Sequence, residues 1–271
     1  MTSIKKVLLK ILGVTLLLTT VLTAREYNYP SSHYKYISLF EKEAKAQHMD
    51  SAMSLDIFQK MIKKQWNKGY DISDIKYGNG KWIGIFTQTN KESHQTYVVS
   101  PRWSGVNNLL NEYWAKGYYI THIEHGLAEW IVVFEKNTSY TNQSYERRKT
   151  LDSFVNAVEK RWKENYDLID LEYGQGRWTG IFAENTGYNG QTMSVRSRWS
   201  EMAAVIQDHW KRGYRITDIE HTLGKWMCVF SKFDGQKAQG FETSPTVEEL
   251  QEIFEARQKK GYMLIDLAEG W

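Results

Sequence analysis

The stretch from Trp66 to Phe86, WNKGYDISDIKYGNGKWIGIF, decides the fold because it returns three times at intervals of 48 residues, beginning at Trp114, Trp162 and Trp210. The copies read WAKGYYITHIEHGLAEWIVVF, WKENYDLIDLEYGQGRWTGIF and WKRGYRITDIEHTLGKWMCVF. A fixed period of this length marks a chain made of copies of one small block. Tyr70, Tyr118, Tyr166, Tyr214 and Tyr262 share one frame; Gln47, Gln95, Gln143, Gln191 and Gln239 share another. A period of 96 lies over the first, since Arg102-Trp103-Ser104 returns as Arg198-Trp199-Ser200 and Ile123-Glu124-His125 returns as Ile219-Glu220-His221.

Ahead of the quoted stretch, Ile57, Met61, Ile62 and Trp66 follow a helical period, as do Val106, Leu109, Leu110, Tyr113 and Trp114. An amphipathic helix is expected there, with Asp56, Ser104, Asp152 and Ser200 as its N-caps. Gly69, Gly117, Asn165, Gly213 and Gly261 should end these helices, because Gly and Asn tolerate the left-handed conformation that a Schellman stop requires. The following residues, such as Ile72 to Tyr77 and Trp82 to Phe86 around Gly78-Asn79-Gly80, predict a β-hairpin. Its second strand is apolar on both faces, so both must be covered. A third, more polar strand is expected at Gln95 to Val99 and its equivalents.

The two ends of the chain complement each other. Tyr36 to Phe40 resembles the second strand and Gln47 marks the third, whereas the C-terminal residues supply a helix from about Val247, the stop at Gly261 and a first strand from Met263 to Leu267. Met263 to Leu267 is therefore predicted to pair with Tyr36 to Phe40. The fold expected is an α/β repeat: a closed propeller of five units, each helix-strand-strand-strand, with one unit split between the termini. The units are 55–102, 103–150, 151–198 and 199–246, with half-units 36–54 and 247–271, in a single repeat domain 36–271 behind a leader 25–35.

Residues 1–24 stand outside that count. Lys5 and Lys6 precede an apolar run from Val7 to Ala24 that has no Asp or Glu, the pattern of an export signal, so a secreted or periplasmic location is expected. An uncleaved segment would instead be a membrane anchor, the one membrane contact foreseen. Without it the chain loses Lys5, Lys6 and Lys10, which brings 35 basic residues level with the 32 acidic ones. No row of phosphates is matched by such a balance, and nucleic acid is set aside as a partner. A composition 41% hydrophobic and 25% charged is that of a folded protein. One cysteine, Cys228, leaves no disulfide framework, so stability rests on a core unusually rich in aromatics, with 11 Trp, 17 Tyr and 10 Phe.

Candidate site residues are read from polar positions that repeat. Asp74, His122, Asp170, Asp218 and Asp266 fill one slot of the first strand, and Lys76, Glu124, Glu172 and Glu220 lie two residues on, sharing its face. If the first strands line an axis, these groups form an acidic ring suited to a cation, an amine or an Arg/Lys side chain. The competing reading is that each Asp braces the neighbouring unit. His122, Glu124, His125 and Glu220 are residue types that could form a metal set, but regular alternation puts His122 and His125 on opposite faces, and neither metal nor cofactor is expected. Trp103 and Trp199, held in Arg-Trp-Ser at the start of a helix, suit either an exposed contact to a sugar or protein, or a hydrophobic staple. Asn137-Thr138-Ser139 and Asn142-Gln143-Ser144 are glycosylation sequons.

A ring of one-helix, three-strand units resembles the five-bladed α/β propellers of the amidinotransferase and deiminase group and of a ribosome anti-association factor, in topology only. That likeness implies a guanidine-modifying enzyme with a nucleophilic Cys; here Cys228 occupies a second-strand slot shared with Gly84, Val132 and Gly180, which reads as interior. The pattern carried by Trp66, Gly69, Tyr70, Ile72, Gly78 and Trp82 resembles an uncharacterised tandem repeat found after plant casein-kinase-1-like kinase domains and beside bacterial caspase-like domains, over residues 36 to 271. No kinase or caspase motif accompanies it. The function expected first is an exported, non-enzymatic recognition module for a protein or glycan, with no catalytic residues; a guanidine-modifying enzyme and a structural envelope-associated protein are the alternatives.

Overall fold

The computed structural model describes residues 34–89 and 94–271, so the expected signal segment 1–24 and nearly all of the leader lie outside the described residues. Strands β1 (Lys35–Glu41) and β2 (Gln47–Ala52) come first. Four repeats follow: α1 (Leu55–Trp66), β3 (Tyr70–Gly78), β4 (Lys81–Gln88), β5 (Gln95–Ser100); α2 (Trp103–Ala115), β6 (Tyr118–Gly126), β7 (Glu129–Lys136), β8 (Gln143–Arg148); α3 (Leu151–Lys163), β9 (Asp167–Gly174), β10 (Arg177–Ala183), β11 (Tyr188–Arg196); α4 (Trp199–Lys211), β12 (Arg215–Thr222), β13 (Lys225–Phe233), β14 (Gln239–Ser244). Helix α5 (Val247–Lys259) and β15 (Met263–Gly270) end the chain. None of these helices is long and apolar enough to cross a membrane.

The strands form five separate three-stranded antiparallel sheets, not one continuous barrel: β2-β4-β3, β5-β7-β6, β8-β10-β9, β11-β13-β12 and β14-β1-β15. The third strand of each sequence repeat does not join its own hairpin, as the repeat boundaries had implied; it becomes the outer strand of the next sheet. Outer and inner strands both run antiparallel to the middle one and hence parallel to each other. Two parallel strands of one sheet need a crossover connection, and the helix supplies it across the middle strand. In the last sheet the middle strand comes from the opposite end of the chain: β1 is seated between β14 and β15, with Phe40 opposite Leu264 and Ser38 opposite Leu267.

The helix stops are where the sequence puts them, with left-handed φ at Gly69, Gly117, Asn165, Gly213 and Gly261. After α3, the Asn165 N–H donates to the Trp162 carbonyl and the Tyr166 N–H to that of Arg161, the paired bonds of a Schellman motif. The N-caps of α1 to α4 lie two residues earlier than expected, whereas α5 begins at Val247 as expected. Ser54, Thr150 and Thr246 are the N-caps, each accepting a backbone N–H through its hydroxyl, and Arg102 and Arg198 hold the equivalent positions without a side-chain cap. Asp56 and Asp152 instead sit in the first turn, where their charge favours the positive end of the helix dipole.

Each middle strand serves two cores, which is why it is apolar on both faces. Trp82 and Phe86 of β4 pack under α1 with Phe58 and Ile62, whereas Ile83 and Ile85 reach the core under α5 with Leu250 and Phe254. The same exchange places Ile131 and Val133 under α1, Ile181 under α2, Met227 and Val229 under α3, and Ile37 and Leu39 under α4. Burial of these side chains contributes about 1.5–3 kcal/mol apiece against exposure.

A second device joins neighbouring sheets. Gln143, in the outer strand of one sheet, accepts the Ile120 N–H at 2.8 Å and donates to the Ile120 carbonyl at 2.7 Å in the sheet before it, while the Trp114 indole N–H donates to its amide oxygen at 3.1 Å. Gln95 does the same with Ile72 and Trp66, Gln191 with Leu168 and Trp162, and Gln239 with Ile216 and Trp210. The repeated Gln and Trp are therefore one structural unit: the side-chain amide satisfies a strand-initial peptide group that no third strand reaches.

Candidate functional site

The inner strands β3, β6, β9, β12 and β15 neighbour one another in that order, and β15 also lies beside β3. Each carries one extra residue. The pairing jumps from Ile72–Phe86 to Asp74–Ile85 and correspondingly in every sheet, so that Ser73, Thr121, Ile169, Thr217 and Ile265 are bulges. A bulge re-aims the residue that follows it. Here that residue is Asp74, His122, Asp170, Asp218 or Asp266, and all five line one cavity of about 60 Å³.

Within this layer the two readings of the aspartates are each half right. Asp170 accepts the Ile123 N–H at 2.8 Å and Asp266 accepts the Ile219 N–H at 2.6 Å, so these two brace the preceding sheet. Asp74 and Asp218 are buried, yet each has a carboxyl oxygen, Oδ2, with no hydrogen-bond partner among the described residues.

The next layer along the strands is charge-paired. Lys76 Nζ lies 2.5 Å from Glu220, 3.2 Å from Glu124 and 3.4 Å from Glu172. Ala268 holds the corresponding position of β15. Burial acts to lower the Lys76 ammonium, but its three carboxylates outweigh it and hold the pKa well above the usual lysine range. Burial also drives the acids upward. Asp266 and Glu124 are pushed up to about 7, and Asp74, Asp170, Asp218 and Glu172 also stand well above the carboxylate range. His122 is pushed down to about 4 by burial, so it is neutral at physiological pH. Seven carboxyl groups thus share one lysine. The layer can take up protons or a cation, because either relieves the same repulsion.

Beyond Lys76 a second cavity, of about 190 Å³, is lined by Tyr77, His125, Tyr173, His221 and Glu269, one from each inner strand. His125 therefore belongs to a different cavity from His122, and the metal set weighed from the sequence is divided. Among the described residues no three His, Cys, Asp or Glu are grouped to hold a metal ion.

Trp103 and Trp199 are not surface aromatics. They are 3% and 6% exposed and pack edge-on against Trp130 and Trp226 at 5.0 Å. As first residues of α2 and α4 they point inward, where Tyr145 and Phe241 complete their contacts. In that placement they are core side chains and present no exposed ring. Cys228 is 0% exposed in the core under α4 with Trp226 and Phe230. Burial first, then Asp266 and Asp218, hold its thiol well above the usual range, the reverse of what a nucleophile needs.

Sequence reasoning found the axial slots but missed the bulge, which leaves no compositional mark, and the place of Glu269 beside Tyr77, His125, Tyr173 and His221. Glu269 standing in the slot of Tyr77, His125, Tyr173 and His221 was the available signal. A search of curated proteins gives no match to this chain. Residues 25–261 match the family described as Domain of unknown function (DUF7477), and the chain belongs to that family.

Proposed function

We propose that the five sheets close into an α/β propeller and that the chain is an exported, non-enzymatic recognition module whose acidic axis receives a primary ammonium group of its ligand. Closure is supported by β1 lying between β14 and β15 and by β15 lying beside β3. Export is supported by the basic and apolar pattern of residues 1–24. The observation that carries the binding reading is the pair of buried, unpartnered Oδ2 atoms of Asp74 and Asp218 beside a cavity of about 60 Å³. The space admits a group of at least water size, and the two open carboxylate oxygens favour a head that can donate N–H bonds. The glycan reading loses its support with the burial of Trp103 and Trp199, and the guanidine-modifying reading with that of Cys228.

The test is calorimetric titration with n-butylammonium at about pH 8, with tetramethylammonium, which has no N–H to donate, as the control. Saturable binding of the first and none of the second is expected, weakened at least about tenfold by Asp74→Asn with Asp218→Asn. No saturable heat, or equal affinity in the doubly substituted protein, would overturn the reading.

A further inference from the structure

The hairpin turns that follow the inner strands present an apolar rim beside the second cavity. Leu127 and Leu223 occupy equivalent turn positions 96 residues apart, 52% and 65% exposed, both with φ of 49°. The same position in the other two turns carries Asn79 and Gln175, also at positive φ. Leucine bears the left-handed backbone cost without the local hydrogen bonds an Asn can make, and more than half of each side chain stays exposed. Trp271, 67% exposed, follows Glu269 and Gly270, its ring 5.6 Å from that of His221. Three of the five large exposed hydrophobic side chains among the described residues therefore lie at this one end of the inner strands.

The cavity behind the rim is acidic and incompletely satisfied. Glu124, Glu172, Glu220 and Glu269 face it with only Lys76 in opposition. His221 is 8% exposed, and its Nε2 has no hydrogen-bond partner among the described residues; Glu269 Oε2 and His125 Nε2 are likewise unpaired. Burial pushes His221 down to about 4, so its ring is neutral and offers a lone pair or an N–H according to tautomer. Tyr77 and Tyr173 add ring faces to the same wall. An acidic floor, aromatic walls and an apolar rim are complementary to a basic side chain flanked by apolar neighbours.

We infer that this turn face is a docking surface for a polypeptide segment that inserts one lysine or arginine side chain into the cavity of Tyr173, His221 and Glu269 and seats apolar neighbours on Leu127, Leu223 and Trp271. The site is separate from the Asp74 and Asp218 cavity, from which the Lys76 layer divides it, and it goes beyond the ammonium-binding reading.

The test uses heptapeptides with capped ends and a central lysine, arginine or glutamine flanked by leucines. Binding is followed by the 15N resonances of the His221 and His125 side chains and by Trp271 fluorescence. The basic peptides should bind at least about tenfold more tightly than the glutamine peptide, with His221 Nε2 shifting on saturation. Leu127→Ser with Leu223→Ser, a surface change that leaves the core untouched, should weaken them about fivefold or more while n-butylammonium binding stays as in the unaltered chain. Equal binding of the glutamine peptide would remove the charge recognition and overturn the proposal, as would unchanged affinity in the Ser variant. Absence of peptide binding beside intact n-butylammonium binding would overturn the docking surface alone.

Discussion

Gln47 and Leu264 stand 217 positions apart, yet the Leu264 N–H donates to Gln47 Oε1 and Gln47 Nε2 donates to the Leu264 carbonyl, both at 2.8 Å. This is the same bidentate clasp that Gln95, Gln143, Gln191 and Gln239 make with residues only 23 positions before them. The joint between the two ends of the chain is built like the joints between consecutive repeats.

The clasp makes a direct prediction. Gln143→Ala leaves the buried Ile120 N–H and carbonyl and the Trp114 indole without their partner, and should cost about 2–4 kcal/mol in urea unfolding. A loss under 0.5 kcal/mol, the level of an ordinary surface change, would show that water replaces the amide without cost.

Lys76 is the one cation among the axial carboxylates, so Lys76→Met should destabilise the fold by about 3–5 kcal/mol at about pH 8, because three buried carboxylates lose their partner. The loss should shrink near pH 5, where those acids take protons. Chemical denaturation at the two pH values measures it, and an equal loss at both would mean that Lys76 acts through packing alone.

Stability of the unaltered chain should fall as pH rises from about 5 towards 8. Glu124 and Asp266 titrate at about 7 when folded and near 4 when unfolded, so the folded state binds more protons across that window and loses stability through it. His122, His125 and His221 act in the opposite sense, gaining stability as pH rises towards 6.5, but they are outnumbered by the seven raised axial carboxyls, to which Glu41, Glu135, Asp167 and Glu269 add. Lys76, raised, keeps its contribution throughout this range. Thermal unfolding across the series tests the sign; a midpoint that climbs steadily to pH 8 would contradict it.

Much of this architecture was legible because it repeats. The stops at Gly69 and Asn165 and the pairing of Tyr36–Phe40 with Met263–Leu267 follow from one frame of 48 residues, since the same local physics must be solved in every copy. What escaped is what periodicity does not encode. Trp103 and Trp199 keep the longer period, which says that two sites are equivalent but not which way a side chain points; their burial follows from helices that begin at those residues. The transfer of β5 to the following sheet is set by the crossover that parallel strands require, a relation between copies rather than within one. The axial slots were readable as slots, whereas the division into bracing Asp170 and Asp266 and the open Oδ2 atoms of Asp74 and Asp218 depends on side-chain placement that residue identity does not encode.

Cys228 gives a further check on the core. With its thiol sealed under α4, labelling by a disulfide reagent should occur only as fast as the fold opens, and should accelerate in urea in step with unfolding. Fast labelling under native conditions would place the thiol in an accessible channel.

Closure of the ring is the claim on which the axial site depends, and native-state hydrogen exchange reads it at five matched amides. Ile72, Ile120, Leu168, Ile216 and Leu264 each donate their N–H to a clasp glutamine, and only Leu264 does so across the seam of the chain. A closed ring predicts protection of Leu264 within about tenfold of the other four. Rapid exchange at Leu264 beside four slow amides would mean that the seam opens, and would contradict the closed propeller.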